Sequence, residues 1–301
     1  MTNNLTPPLE VGFIGLGNMG TPMAHHLADA GYRLSVLDAD PAAVERFAGS
    51  HPCERPASPE ALGHQCPVVI TMLPNGDIVR EVLLGKDGAA GGLAAGAIVI
   101  DMSSSSPLGT RRLAEELTAR GIALVDAPVS GGVVKAEQGA LAIMAGGMED
   151  TVERCRPLLE TMGKVFHTGS TGTGHAMKSL NNFLSAATLA VTAEAVLAGA
   201  RFGLEPERMV DIINASTGRS NSSEHKYPTF VLNRRFDSGF ALGLMAKDLR
   251  LAAELAGSGG TAHELIDMIS DLWSRAEAEL GFSADNTEIV RYLESGEAAG
   301  E

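Results

Sequence analysis

The feature that most constrains this chain is Gly15-Leu16-Gly17-Asn18-Met19-Gly20, set between an apolar run at residues 11–14 and a helix-like stretch that begins at Thr21. Three glycines at that spacing commit the segment to a tight β–turn–α unit, because the third glycine is needed where helix and strand pack closely. Such a unit wants parallel neighbours, and further apolar runs follow at residues 34–37, 68–72, 98–101, 123–126, 141–145 and 165–167. Helix-like stretches such as 21–30 and 107–120 separate several of them, with Gly, Asn or Pro at the joints. Short continuous apolar strands alternating with helices indicate a parallel sheet covered on both faces.

After Gly174 the strand rhythm stops. Ala, Leu, Glu and Met dominate long segments, and the periodicity predicts helices over 175–202, 205–215, 239–257, 261–280 and 286–294. The joint is Thr168-Gly-Ser-Thr-Gly-Thr-Gly174, a run of small polar residues. We therefore expect an α/β Rossmann domain over 1–169 and an all-α domain over 170–301. Residues 183–199 are almost all small and apolar apart from Glu194, so the long helix is expected to be buried.

Composition removes several classes of function. The chain has 23 Lys and Arg against 37 Asp and Glu, a formal charge of −14 over 301 residues. Nucleic acid is excluded as a partner, since phosphate binding needs clustered positive charge. The first nine residues carry no basic start followed by an apolar stretch, and the run at 88–100 is 13 residues long, short of the ~20 that span a bilayer. Cys53, Cys66 and Cys155 form no C-x-x-C pair and are odd in number, which suits a reducing cytoplasm and gives no metal site. A soluble cytoplasmic protein with no membrane partner is expected.

The residues that carry chemistry lie at the joints. In the glycine loop, Gly15 permits the turn, Gly17 lets a diphosphate approach the backbone, and the amides at the helix start hold the anion. Asp38 closes the second apolar run about 20 residues on, where an acid accepts from the adenosine ribose diol. Ala39 and Asp40 follow, with no cation for a 2′-phosphate, so NAD is expected over NADP. Asp38 could instead serve as a turn or cap residue before Pro41. Lys178 and Asn182 are four apart at the start of the long helix and share a face. A lysine among apolar groups has its charged form disfavoured, which suits proton transfer, although a solvated first turn is an equal alternative. Ser130, Gly131 and Gly132 end another strand at the carboxyl edge and could nest a small carboxylate, with a plain turn as an equal alternative. Lys247, beside Asp248 in an apolar segment, is a candidate for a further anion contact, with an ordinary charge pair at a helix edge as the alternative.

Taken together, Gly12 to Gly20, Met72-Leu73-Pro74, Asp101-Met-Ser-Ser104 with Pro107, Asp126 to Gly132, Gly174 to Asn182 and Phe240 to Leu249 resemble the β-hydroxyacid dehydrogenase family. The resemblance runs from about Glu10 to Leu280. It implies a Rossmann domain followed by an all-α domain of the 6-phosphogluconate dehydrogenase C-terminal type, joined by a long helix that contributes to a homodimer or homotetramer. It implies oxidation of a small 3-hydroxy acid, or reduction of its semialdehyde, with NAD(P) and without a metal. By the same resemblance Lys178 is the catalytic acid/base, and Ser130, Gly131, Gly132 and Asn182 bind the substrate carboxylate and hydroxyl. The loop residues Gly15, Leu16, Gly17, Asn18, Met19 and Gly20, with Asp38, bind the cofactor, and Leu73, Pro74, Ser104 and Lys247 lie along it.

Three positions depart from the pattern: Lys135 stands for a usual glycine, Ser104 for threonine, and His26 for a frequent asparagine. Residues 216–224 lie where family members differ by substrate, which makes Arg219 and Asn221 candidates for a second polar contact. Candidate acids are 3-hydroxyisobutyrate, glycerate, L-serine and short aldonates such as threonate. Two other readings compete: an imine reductase, which shares the fold but usually lacks a lysine at position 178, and a non-catalytic NAD sensor, which needs only the first half.

Overall fold

The computed structural model describes residues 4–298. Residues 1–3, part of the stretch examined for a leader, and residues 299–301 lie outside the described residues. The chain divides into two compact units, Met1–Lys178 and Ser179–Glu301.

The first unit alternates strand and helix as the apolar runs require. In chain order it contains β1 (Glu10–Ile14), α1 (Gly20–Asp29), β2 (Arg33–Leu37), α2 (Pro41–Ala48), β3 (Cys53–Glu54), α3 (Pro59–Gln65), β4 (Val68–Thr71), α4 (Gly76–Leu84) and α5 (Ala89–Gly92). There follow β5 (Ile98–Asp101), α6 (Pro107–Thr118), β6 (Ala123–Asp126), β7 (Val129–Ser130), α7 (Gly132–Glu137), β8 (Leu141–Gly146), α8 (Glu149–Leu159) and β9 (Gly163–Gly169). The sheet order is β3-β2-β1-β4-β5-β6-β8-β7, with β9 added on β8. The central ladders β3 to β6 are parallel. The parallel expectation fails only around β8, which runs antiparallel to β6 and β7 and parallel to β9. Its apolar run has the composition of a parallel strand, because a strand covered on both faces is apolar whichever way it points. One core packs Phe13, Val36, Ile70 and Ile100 beneath α1, α2 and α8, and a second packs Val69, Val99 and Leu124 beneath α3, α4 and α6.

Helix starts in this unit are written in the sequence. Asp40, Ser58, Asn75 and Ser106 each accept a backbone N–H at the head of α2, α3, α4 and α6. No side chain caps α1.

The helix α9 (Thr173–Phe202) begins in the first unit and ends in the second. It is followed by α10 (Pro206–Asn214), a π-helix at Ser222–Val231, α11 (Leu242–Ser258), α12 (Glu264–Leu280), a single 3-10 turn at Asn286–Glu288 and α13 (Ile289–Ala298). Trp273, Tyr227, Leu189, Met245 and Leu249 fill the core of this unit. The expectation that α9 is buried is corrected. Ala186, Leu189, Ala193 and Val196 are buried, but Met177, Leu184 and Val191 are exposed at seven-residue intervals. By length and composition α9 could cross a membrane, and only 33% of its most apolar window is buried within the chain. The π-helix falls in a segment where the periodicity announced no helix.

Candidate functional site

Four strands end abreast. Ile14, Thr71, Asp101 and Asp126 are partners in register across β1, β4, β5 and β6. Between β1 and β4 the chain order reverses, so the carboxyl edge there is the crevice where open parallel sheets bind ligands. Every motif of the first half emerges along this edge: the glycine loop after β1, Met72-Leu73-Pro74 after β4, Ser103-Ser104 after β5, and the Ser130 turn after β6.

The glycine loop is built by close approach. Gly15 has φ +105°, and a Cβ there would overlap Met72 O; a Cβ on Gly20 would overlap Gly15 O. Gly17 has nothing within 4 Å of its Cβ position. The two outer glycines thus compress the turn and the middle one leaves its backbone open, which is the cradle a dinucleotide diphosphate requires. Asp38 latches this loop: Leu16 N donates to Oδ2 at 2.6 Å and Asp40 N to Oδ1 at 2.7 Å. The capping role considered for Asp38 belongs to Asp40, which accepts from Ala42 N. Each Asp38 oxygen keeps a further lone pair for a ribose hydroxyl. The residues fit a nicotinamide dinucleotide, which Gly15 to Gly20 and Asp38 would hold.

Behind the row of strand ends lies a buried polar network that the sequence reading did not isolate. Asp101 accepts from Thr71 Oγ1 (2.9 Å), Ser103 N (3.0 Å) and Ser105 Oγ (2.9 Å). Ser103 Oγ accepts from Leu73 N at 2.9 Å, which fixes the Leu73-Pro74 turn. Asp126 accepts from Gly172 N (2.7 Å) and His175 N (2.9 Å), anchoring the start of α9. Burial pushes the Asp126 carboxyl above the usual carboxylate range, against the pull of His175 and of those amides. The His175 ring, fully buried, donates through Nε2 to Ser103 O at 3.1 Å and meets Thr110 Oγ1 at Nδ1, 2.8 Å away. Lys178 follows His175 by three residues, half-buried on the same helix. The only advance signal of this network was four buried-type polar residues, Thr71, Asp101, Ser103 and Asp126, at the ends of apolar strands.

Ser130 pairs with Ala142 on β8 and precedes Gly131, at φ +137°, and Gly132, at φ +68°. Nothing lies within 4 Å of a Cβ on Gly132, so its backbone faces open space. Lys135, one of the departures, packs its stem over Gly131. His26, another, contacts the carbonyls of Ala136 (2.9 Å) and Glu137 (3.1 Å) through Nε2 and so ties α1 to the end of α7.

In the second unit, buried Asn182 donates through Nδ2 to Asp248 Oδ2 at 2.6 Å, and Lys247 Nζ lies 3.2 Å from Asp248 Oδ1. Asn182 and Lys247 therefore meet through Asp248. Arg219 does not join them: its exposed guanidinium lies 3.6 Å from Glu224. Asn221 is exposed at the head of the π-helix. A lysine that sequence reasoning passed over, Lys226, is set into this unit, its Nζ donating to Ser185 Oγ (3.0 Å) and Asn286 Oδ1 (3.2 Å). Among the described residues no group of three or more His, Cys, Asp or Glu could hold a metal ion.

A glycine-loop Rossmann unit followed by a helical unit is the build of an NAD(P)-dependent oxidoreductase. Residues 10–171 match the model of the NAD binding domain of 6-phosphogluconate dehydrogenase, and residues 172–293 match that of the NAD-binding domain of NADP-dependent 3-hydroxyisobutyrate dehydrogenase. The chain is 39% identical to 2-(hydroxymethyl)glutarate dehydrogenase of Eubacterium barkeri, covering 94% of this chain and 93% of that one. It is 37% identical to mitochondrial 3-hydroxyisobutyrate dehydrogenase of Mus musculus, covering 98% and 90%. The solved structure of Mycobacterium tuberculosis 3-hydroxyisobutyrate dehydrogenase with L-serine aligns at a TM-score of 0.87 and 34% identity, covering 95% of this chain and 99% of that one. The chain belongs to the β-hydroxyacid dehydrogenase family of NAD(P)-dependent hydroxyacid dehydrogenases.

Proposed function

We propose that the chain is an NAD-dependent dehydrogenase that interconverts a small 3-hydroxy acid and its semialdehyde, with Lys178 as general acid and base. The observation that carries this reading is the anchoring of α9: Asp126, at the end of β6, holds the amide of His175, one turn before Lys178. In the oxidative direction the neutral Lys178 amine takes the hydroxyl proton, and in the reductive direction its ammonium returns that proton to the developing alkoxide. Bound NAD supplies the acceptor for the hydride that leaves the carbinol carbon. The amides of Gly131 and Gly132 with Ser130 receive the substrate carboxylate, and Asn182 orients the hydroxyl. Leu73, Pro74, Ser104 and Lys247 line the cofactor.

The choice of NAD over NADP rests on Asp38, whose carboxylate stands at the end of β2 with Ala39 and Asp40 after it, while the nearby Arg46 guanidinium is engaged by Asp40 at 3.3 Å. Three free cysteines, two of them buried, suit the cytoplasm. The exposed row Met177, Leu184 and Val191 on α9 supports assembly with further copies of the chain, which sedimentation of the purified protein checks.

The decisive experiment screens 3-hydroxyisobutyrate, 2-(hydroxymethyl)glutarate, glycerate, L-serine and threonate with NAD and with NADP, following the reduced cofactor by absorbance. Lys178→Ala is expected to lower kcat by about 10²–10⁴, the usual worth of acid–base catalysis, with NADH affinity nearly intact. A substantially active Lys178→Ala enzyme refutes the mechanism, and tight NADH binding without turnover of any acid favours the sensor.

A further inference from the structure

One charged group in the second unit has no task in the chemistry above. Lys226 extends from the π-helix at Ser222–Val231, and both acceptors of its ammonium, Ser185 Oγ and Asn286 Oδ1, are neutral. The nearest acid acting on it is Asp285, whose carboxylate is already engaged by Ser238 Oγ, Gly239 N and Thr287 N, each at 2.9 Å. Among the described residues, no carboxylate pairs with this ammonium. Burial pushes its pKa down to about 8, so it stays charged near neutral pH at a cost to folding. An ammonium has three donors, and two are used.

The position of that unpaired cation is informative. Ser185 lies three residues beyond Asn182 on α9, so the two share a face and stand about 4.5 Å apart along the axis. Ser222 Oγ donates to Ser185 O at 3.1 Å and meets Thr188 Oγ1 at 3.0 Å, which seats the head of the π-helix against this same stretch. Extended π geometry is rare and occurs mostly at functional sites. A half-buried cation with neutral partners, one helical turn along from the asparagine assigned to the substrate hydroxyl, suits an anion.

We propose that Lys226 binds a second carboxylate of the substrate, so that the preferred 3-hydroxy acid is a dicarboxylate whose distal carboxylate is carried on a short arm from C2. The inference rests on the dehydrogenase reading above. A trans three-bond span is about 3.8 Å, so a two-methylene arm covers most of the ~4.5 Å rise from Asn182 to Ser185. The distal carboxylate then supplies a countercharge and the third acceptor, whereas a monocarboxylate leaves the half-buried ammonium with neutral partners alone.

The test compares kcat/KM of the full-length enzyme for 2-(hydroxymethyl)glutarate and for 3-hydroxyisobutyrate with saturating NAD. The wild type is expected to favour the dicarboxylate by at least tenfold. In Lys226→Met, and in Lys226→Gln should the first variant fail to fold, that ratio is expected to fall about 30-fold, through KM for the dicarboxylate rather than through kcat. Lys226→Arg should retain most of the preference. Turnover of both acids by the wild type without a preference, or a Lys226 variant that leaves the ratio unchanged, overturns the inference while the dehydrogenase reading stands. Absence of turnover with either acid overturns that reading and this inference with it.

Discussion

Lys226→Met should make the second unit more stable at neutral pH, which is an unusual expectation for the loss of a half-buried residue with two hydrogen bonds. The fall from lysine's ordinary 10.5 to about 8 corresponds to about 3 kcal/mol at 1.36 kcal/mol per unit. Replacing the side chain by an unbranched apolar one of similar length removes that penalty. It also removes the bonds to Ser185 and Asn286, each worth roughly 0.5–1.5 kcal/mol. A net gain of about 1 kcal/mol remains. The protein carries its own probe, since Trp273 is its only tryptophan and lies fully buried in the same core as Tyr227. Urea unfolding followed by Trp273 fluorescence therefore reports this unit. The sign of the pH dependence follows from the depressed pKa. Below pH 8 both folded and unfolded lysine are charged and the penalty is fully present; between 8 and 10.5 the folded form loses its proton first, so wild-type stability rises with pH. Taking the difference between wild type and Lys226→Met cancels Tyr227 and Cys155, whose burial pushes their pKa values up and acts in the opposite sense. The advantage of the variant should shrink across that window. A difference that is flat from pH 7 to 10.5, or a variant less stable than wild type by more than about 1 kcal/mol at pH 7, refutes the argument and makes Lys226 a structural strut.

The other expectations concern the first unit. Gly20→Ala forces a Cβ onto Gly15 O, so the loop must open; a cost of about 1–3 kcal/mol and at least a tenfold loss of NADH affinity are expected, read by thermal unfolding and by fluorescence titration. Asp38→Ala removes the acceptor of Leu16 N as well as the ribose acceptors; KM for NAD should rise about tenfold or more while KM for NADP changes less, and equal changes would refute the NAD preference. Asp126→Ala strips the buried amides of Gly172 and His175 of their acceptor, at about 1–3 kcal/mol each, and should lower both Tm and kcat. A variant that loses stability but keeps full kcat would show that the anchor of α9 does not position Lys178.

Much of this was legible in the residues because each signal had a local cause. The glycine loop and the apolar strands are short-range features, and they set the order of elements in the first unit, whereas the caps at Asp40, Ser58, Asn75 and Ser106 were seen only in the structure. What escaped reading depends on distant partners. The antiparallel ladder of β7 and β8 uses the same apolar residues as a parallel one. The exposed side of α9 carries Met177, Leu184 and Val191, residues that would serve equally in a core, so composition could not distinguish the two faces. The π-helix has no periodic apolar stripe and holds Pro228, which ordinarily argues against a helix. Arg219 drew attention because it is charged and near the variable segment, yet it pairs with Glu224 at the surface, while Lys226, seven residues on, is the cation the fold draws inward.

The buried network gives the row of strand ends a mechanical meaning. Leu73 N donates to the Ser103 hydroxyl, the Ser103 carbonyl accepts from His175 Nε2, and the His175 amide is held by Asp126. Nε2 is committed as donor, and Nδ1 meets the Thr110 hydroxyl on α6, which also reaches the Ser106 carbonyl at 2.9 Å. The turn expected along the cofactor and the helix that carries Lys178 are thus joined by one chain of bonds inside a single unit, with no solvent-exposed link between Ser103 and Asp126. Cβ atoms on Gly146 and Gly174 would come within 3.0 Å of the Asp126 carboxylate, so the cavity that receives it is shaped by absent side chains on both sides. An acid whose protonated form is favoured by burial is kept here for the two amides it orders, and the placement of the lysine follows from the placement of that carboxylate.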